Sequence, residues 1–394
     1  MTFVQFDLER WQSVWEHRVR FNLSESGVHP MSLDELLEIT DTDPTALSAV
    51  RLGYSQSNGT DELRAAIAGL YPGATADNVL VTVGGSEANF IACWSLLGSG
   101  EHVAVQVPNY LQIWGIARSA GADVTTFPLR FDRRWDPDLD AMRSAIREDT
   151  KLVVVTTPNN PTGHVFSADA RRAILDRVQQ VGAWLLVDEV YQGAERTGDE
   201  TESWWGQGQE QYDRVIVTNG LSKAYGLPGL RIGWIVGPPE LIASAWQRHD
   251  YTVICPSALS DFLAIRVFAA RHPILERTRR IIRDNYQVLE PWLRSLEDLF
   301  EWQAPDAGAI CLVRYRLGMD SIQLVERLRE AHDVLLVPGA HVGLTNYLRI
   351  GYGDEPGHLR DGLAALKAGM TELAGTEPRA SAPVSEPTGV GAGD

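Results

Sequence analysis

The chain has 394 residues, with 52 acidic against 35 basic side chains, a formal net charge of −17 and 44% hydrophobic residues. That length is too great for one small core and predicts a large domain joined to a smaller one. The acidity, with no lysine/arginine run, excludes nucleic acid as a partner, and no apolar run reaches the ~18 residues of a membrane span.

The first stretch, MTFVQFDLERWQSVWEHRVRFNL, is amphipathic and charged, with no apolar core of the kind a signal peptide carries. Cys93, Cys255 and Cys311 are far apart and show no CxxC spacing. They predict neither a disulfide framework nor a metal site, and fit a reducing, cytoplasmic setting.

From Val79 onward short apolar runs alternate with helical patterns. VLVTV (79–83), HVAVQVP (102–108), KLVVVTTP (151–158), AWLLVDEV (183–190), RVIVTNG (214–220) and RIGWIVG (231–237) read as strands buried on both faces. Segments such as DARRAILDRVQQVG (169–182) carry apolar residues at helical spacing. The alternation predicts an α/β fold, a mostly parallel sheet between helices. RVIVTNG and RIGWIVG are separated by one short segment and are expected to pair antiparallel, as a hairpin-like edge. Residues 258–296 read as helical. GAICLVRY (308–315), SIQLVERLREAH (321–332), VLLVPG (334–339), YLRIGYG (347–353) and a helix over 358–375 form a second α+β unit. The last residues are rich in Pro, Gly, Ser and Ala and predict a disordered tail.

In open α/β sheets, ligands bind at the carboxyl ends of the strands. VTVGGSEANF places Gly84 and Gly85 between a strand and a helix starting near Ser86, an anion site for a phosphate or an ordinary βα turn. In TTPNNPTG (156–163), Asn159 and Asn160 suit a turn. VDEVYQG brings Asp188 and Glu189 out of an apolar strand, where a carboxylate needs a partner; a helix cap or a salt bridge would supply one. Then comes NGLSKAYGLPGLRIGW (219–234). Lys223 is one of only three lysines in the chain. It follows a strand and is flanked by Ser222 and Arg231, which suit a phosphate. A lysine of depressed pKa forms Schiff bases with aldehydes. Amides, a hydroxyl and an arginine for a phosphate, an amine for an aldehyde and a carboxylate for a ring nitrogen together specify pyridoxal 5′-phosphate.

SKAYGLPGLRIGW, with NNPTG, DEVY and YLRIGYG in the same order, resembles the class I/II aminotransferases, the fold-type I enzymes that use pyridoxal phosphate. The similarity spans about residues 20–375. It implies a seven-stranded, mostly parallel sheet in a large cofactor-binding domain (45–285), a smaller α+β domain (286–375), an N-terminal arm (1–44) partly joined to it, and the tail (376–394). It implies that Lys223 is the Schiff-base lysine and moves a proton at the substrate Cα. It makes Asp188 the partner of the pyridine nitrogen, and Tyr191 and Asn160 the partners of the ring's 3-oxygen. Ser222, Arg231 and the turn Gly85, Ser86 and Glu87 resemble the phosphate cradle. Tyr110 resembles the stacking aromatic; the alternative is an exposed turn tyrosine. Tyr54 resembles the tyrosine that reaches a partner subunit's phosphate, which implies a homodimer with shared active sites. Arg349 resembles the residue that grips the substrate α-carboxylate; a structural arginine is the alternative. Asn160 counts with the substrate residues too.

For the substrate side chain, Gly27 resembles the small residue beside the substrate. His29 follows it, as in enzymes resembling capreomycidine synthase, and Glu25 could hold a guanidinium or an amine. A capping histidine in a solvent-facing loop is the plainer alternative for His29. The resemblance therefore implies an aminotransferase that moves an amino group between an L-amino acid and a 2-oxo acid by way of pyridoxamine phosphate. The runner-up is a cyclase, eliminase or oxidase acting on an arginine-like amino acid. A regulator with a transaminase-like domain is disfavoured, since no basic helix-turn-helix pattern precedes the arm.

Overall fold

The computed structural model describes residues 3–208 and 212–376. The expected tail lies, from residue 377 on, outside these residues. A seven-stranded sheet runs in the order Val79–Thr82, Gly233–Val236, Val215–Gly220, Trp184–Asp188, Thr150–Thr156, His102–Val107, Asp123–Pro128. Neighbours pair in parallel except at Gly233–Val236, which is antiparallel to both of its neighbours.

Alternate residues of the strands feed opposite cores. Val153, Val155, Leu185, Val187, Val215 and Val217 belong to one apolar cluster. Leu152, Val154, Leu186 and Ile216 belong to the other. This is why the strands read as continuous apolar runs instead of alternating ones. The helices between them close with ordinary caps. Ala168–Val181, for example, starts at Ser167, whose hydroxyl accepts the Ala170 amide, and stops at left-handed Gly182.

Two sequence expectations need correction. RIGWIVG pairs antiparallel with RVIVTNG, as expected, but is not an edge: Val79–Thr82 lies outside it. The sheet also has a strand the apolar pattern did not reveal, Asp123–Pro128. It is the far edge, only partly buried, and carries Thr125 and Thr126 where an inner strand would carry valine or isoleucine.

A second sheet is antiparallel throughout, in the order Val337–Pro338, Tyr347–Gly351, Ile310–Tyr315, Phe300–Trp302. Helices Ser321–His332 and Pro356–Thr376 accompany it. One helix, Arg271–Arg294, runs unbroken through the boundary expected at residue 285. The N-terminal arm is stitched to this second unit. Phe21–Asn22 pairs in parallel with Val334–Leu335, and the Gly351 amide donates to Leu23 O at 2.7 Å. Among the described residues no helix is long and apolar enough to cross a membrane.

Candidate active site

The parallel strands end on one rim of the sheet. Asp188 and Thr156 are the last residues of their strands, and Gly220 directly precedes the Leu221–Lys223 turn. The Gly84–Gly85 turn joins them, while Arg349 from the second sheet and Glu25 from the arm close the space. The result is a cavity of about 250 Å³ lined by most of the residues singled out from sequence: Gly85, Ser86, Tyr110, Asn160, Asp188, Tyr191, Ser222, Lys223, Arg231 and Arg349.

The lysine has a partner. Lys223 Nζ lies 3.1 Å from Glu25 Oε1, and that carboxylate also accepts the Ser26 and Gly27 amides at 2.8 and 3.1 Å. The Lys223 charge outweighs the cost of burial and holds the Glu25 carboxyl at about 2. Burial pushes the Lys223 amine down, but Glu25 and Tyr191 together more than offset it and the net shift is upward. The depressed lysine pKa expected from sequence is therefore not a property of the cofactor-free chain, because Glu25 supplies a counter-charge that the expectation did not place.

Asp188 is 9% exposed. Its Oδ2 accepts from Asn89 Nδ2 at 2.9 Å and its Oδ1 from the Val190 amide at 3.1 Å. No lysine, arginine or histidine pairs with it among the described residues, so burial pushes its carboxyl up. A buried carboxylate at a cavity wall without a cation fits the protonated nitrogen of a pyridine ring. Asn89, on the helix Gly85–Leu96, is turned toward Asp188 by Thr218, whose hydroxyl donates to Asn89 Oδ1 at 2.7 Å. Neither Asn89 nor Thr218 was singled out from sequence; their signal is a polar residue at an otherwise apolar position of a helix and of a buried strand.

Other atoms at the wall lack partners. The Tyr191 hydroxyl is buried without a hydrogen bond, and so is Arg349 Nε. Arg349 is 1% exposed; its Nη1 donates to Asn160 Oδ1 at 2.8 Å and its Nη2 to Ser24 O. The free hydroxyl fits a ring oxygen, and the free Nε fits a substrate carboxylate. Gly84, at φ 85°, caps the helix and lies against Arg231, where an added Cβ would come 2.3 Å from Nη2. Glycine lets the guanidinium lie against the helix N-terminus, and with Ser86 and Ser222 beside it this end of the cavity fits an anion such as a phosphate. These residues fit pyridoxal phosphate.

Three expected residues sit elsewhere. The Glu87 carboxylate turns away from the cavity: Oε2 takes the Val83 amide at 2.6 Å and Oε1 the Thr252 hydroxyl. Glu87 therefore does not line the cavity. His29 does not line the cavity either. Its Nδ1 lies 3.2 Å from Glu355 Oε1, and Arg277 Nη1 donates to its backbone oxygen at 3.2 Å. The His29 amide donates to Gly353 O at 2.7 Å, which fixes the arm's backbone there. Tyr54 is 87% exposed and outside the cavity of its own chain. Gly27 runs beside the lysine, with an added Cβ 3.5 Å from Ser222 O and 3.8 Å from Lys223 Cδ.

Besides Asn89 and Thr218, sequence reasoning missed Glu9, Gln12 and Glu16, which also line the cavity. They belong to the helix Asp7–Trp15 and its cap, at spacings of three and four that place them on one face. Glu9 Oε1 accepts the Tyr110 hydroxyl at 2.6 Å, and Gln12 Nε2 donates to Ser24 O at 2.9 Å. The spacing was visible in LERWQSVWE but was read only as amphipathic.

Comparison with known proteins agrees with this geometry. The family model for aminotransferase class I and II matches residues 31–366. Capreomycidine synthase of Streptomyces vinaceus is 33% identical over 365 residues, covering 91% of this chain and 92% of that protein. A probable aspartate aminotransferase of Methanocaldococcus jannaschii is 24% identical, covering 88% and 94%. Among solved structures, a PLP-dependent aminotransferase from Streptococcus suis superposes with TM-score 0.88 at 30% identity, covering 95% of this chain and 99% of that one. The PLP-dependent cyclase OrfR gives 0.86 at 30% identity, covering 94% and 98%. The chain belongs to the class I and II aminotransferase family, a fold-type I α/β enzyme whose cofactor is pyridoxal 5′-phosphate.

Proposed function

We propose that the chain deprotonates the Cα of an L-amino acid whose side chain is cationic, of the arginine type, in a reaction other than simple transamination. The acidic wall of Glu9 and Glu16 carries the substrate reading, and the similarity to capreomycidine synthase and to the cyclase OrfR supports the reaction class. The cations lining the cavity are Lys223, Arg231 and Arg349. Lys223 serves the cofactor aldehyde, Arg231 the phosphate and Arg349 the α-carboxylate. No cation is left for a carboxylate side chain, which would face Glu9 and Glu16 instead. A guanidinium or ammonium there is matched.

Bound in this cavity, pyridoxal phosphate acts as an electron sink for the Cα. Asp188, oriented by Asn89, holds the proton on the ring nitrogen. Tyr191 and Asn160 would hold the ring oxygen, Tyr110 would stack on the ring, and the Gly85–Ser86 turn, Ser222 and Arg231 would hold the phosphate. Arg349 orients the carboxylate through Nε and an Nη. Lys223 would hold the cofactor aldehyde, and its amine would take the Cα proton and return it elsewhere. Gly27 leaves room beside the substrate.

Transamination is the second reading. It is favoured by the intact Asn159–Gly163 and Asp188–Tyr191 turns and by the aspartate aminotransferase relative. The two readings separate when purified enzyme is fed arginine: oxygen uptake, ammonia release or a cyclised product supports the first. Conversion of the cofactor to its amine form, with a 2-oxo acid as product, supports the second.

We also read the chain as a homodimer with shared active sites. Leu52, Tyr54, Tyr251 and Ile254 are half exposed or more, and the Trp94 ring packs 5.9 Å from Tyr251. An apolar surface of this kind marks an interface, and Tyr54 on it would reach a neighbour's phosphate. The division into an arm (1–44), a cofactor domain (45–285) and a smaller domain (286–375), and a cytoplasmic location, belong to the same reading.

A further inference from the structure

His164 follows directly on the Asn159–Gly163 turn and has no part in the chemistry above. Its ring is buried between two carboxylates from distant parts of the chain: Nε2 lies 2.9 Å from Asp136 Oδ1, and Nδ1 lies 2.9 Å from Asp306 Oδ2. A neutral imidazole has one N–H and would turn a lone pair toward one of these oxygens. Only the imidazolium donates to both.

Both carboxylates are fixed from behind. Asp136 Oδ1 accepts the Ser167 amide and Asp306 Oδ2 the Val165 amide, each at 3.1 Å. Asp306 leads into the strand Ile310–Tyr315, which pairs with the strand carrying Arg349. The amides of Asp306 and Ala307 both donate to Gly163 O, at 3.0 and 2.9 Å. The turn and this loop are in close packing, since a Cβ on Gly163 would come 2.5 Å from Pro305 Cβ. The imidazole therefore joins the turn that bears Asn160 to the sheet that bears Arg349, and those two residues bond to each other at 2.8 Å.

Other charges around the ring come from two segments. Arg134 Nη2 is 3.5 Å from Asp306 Oδ1, and Arg133 stands on the same wall. Glu195 and Asp199 face the cleft from the opposite side, with Glu195 already paired to Arg279. Burial pushes the His164 pKa down, but the two carboxylates more than offset this and raise it.

We propose that His164, as an imidazolium, is a positioning residue that clamps the Asn160 turn to the Arg349 sheet and so sets the geometry of the substrate-carboxylate site. The role at that site rests on the function proposed above; the clamp itself does not. With a raised pKa, the clamp is fully present below the ordinary histidine value of 6.5 and is lost as pH rises through the raised value. Asp136 and Asp306 have lowered values, so their contribution is present above 3.8 and lost as pH falls through those values.

The test uses the cofactor-loaded enzyme and its His164→Gln variant. At neutral pH, hydrogen–deuterium exchange over residues 157–165 should be about tenfold faster in the variant. The KM for an amino acid that alters the cofactor absorbance should rise about tenfold with little change in kcat. In the parent, KM should climb on the basic side, and that limb should be absent from the variant. Unchanged exchange overturns the clamp. Faster exchange with an unchanged KM, or with the same basic limb, overturns the positioning role. If the glutamine variant does not fold, Asp136→Asn decides: removing one carboxylate should move the basic limb to lower pH, and an unmoved limb overturns the proposal. If no amino acid alters the cofactor absorbance, the functional proposal fails, while the exchange result still decides the clamp.

Discussion

Lys223 Nζ and Glu25 Oε1 meet at 3.1 Å across the cavity, joining the strand-end turn of the large sheet to the N-terminal arm. The pair keeps the lysine protonated in the cofactor-free chain, although an aldehyde needs the free amine. Glu25 has a lowered pKa of about 2, so its contribution is present above 4.5 and lost as pH falls through about 2. Lys223 has a raised pKa, so its contribution is present below 10.5 and lost above it. At neutral pH both are charged. Glu25→Gln removes the counter-charge and leaves burial and Arg349 to push the amine down against Tyr191 alone. Reconstitution of the apoprotein, followed by absorbance at several pH values, should then proceed faster near pH 7 in the variant. An unchanged pH profile would show that Glu25 does not control the amine.

Lys223→Ala should abolish the covalent link to the cofactor. Borohydride treatment followed by mass spectrometry reads this directly: the parent gains the mass of the reduced cofactor and the variant does not. Activity should drop by about 10²-fold or more, the scale of a lost general base.

Asp188→Asn retains a side chain of the same shape for Asn89 but not the charge that holds the ring-nitrogen proton. Turnover should fall by about 10²-fold, with the cofactor still bound. Thr218→Val should show a weaker effect of the same kind, since Thr218 only turns the Asn89 amide. If Asp188→Asn lost cofactor with no catalytic defect in the loaded fraction, its role would be retention alone.

Arg349→Ala leaves Asn160 Oδ1 without its buried donor and Ser24 O with Gln12 Nε2 alone, and removes the group proposed to grip the carboxylate. Losing a buried charge-assisted contact of this type costs about 2–5 kcal/mol, so the KM for the amino acid should rise at least about 30-fold. Thermal denaturation run alongside separates this from loss of fold.

The cofactor half of the site was legible because the chemistry is carried by single residues at strand ends, where a core has no use for them. Asp188, Tyr191, Asn160, Ser222, Lys223, Arg231 and Arg349 all reach one cavity. The substrate half was not legible in the same way. Gly27 points the chain past Lys223, but the two residues after it do not continue into the site, because the His29 amide is drawn to Gly353. The acidic face instead comes from Glu9 and Glu16, whose spacing is only meaningful once the helix Asp7–Trp15 is known to cross the mouth. The inner strands of the sheet were legible from their apolar runs. The edge strand Asp123–Pro128 was not, because a half-buried strand need not be apolar.

The substrate reading is tested most directly by mixing the cofactor-loaded enzyme with arginine, ornithine, alanine and aspartate and following the cofactor absorbance of the parent and of Glu16→Gln. Arginine should perturb the spectrum of the parent at the lowest concentration, aspartate should not, and Glu16→Gln should raise the half-saturating arginine concentration about tenfold, the effect of about 1.4 kcal/mol. Aspartate acting as readily as arginine, with Glu16→Gln indistinguishable from the parent, would contradict the cationic-substrate assignment.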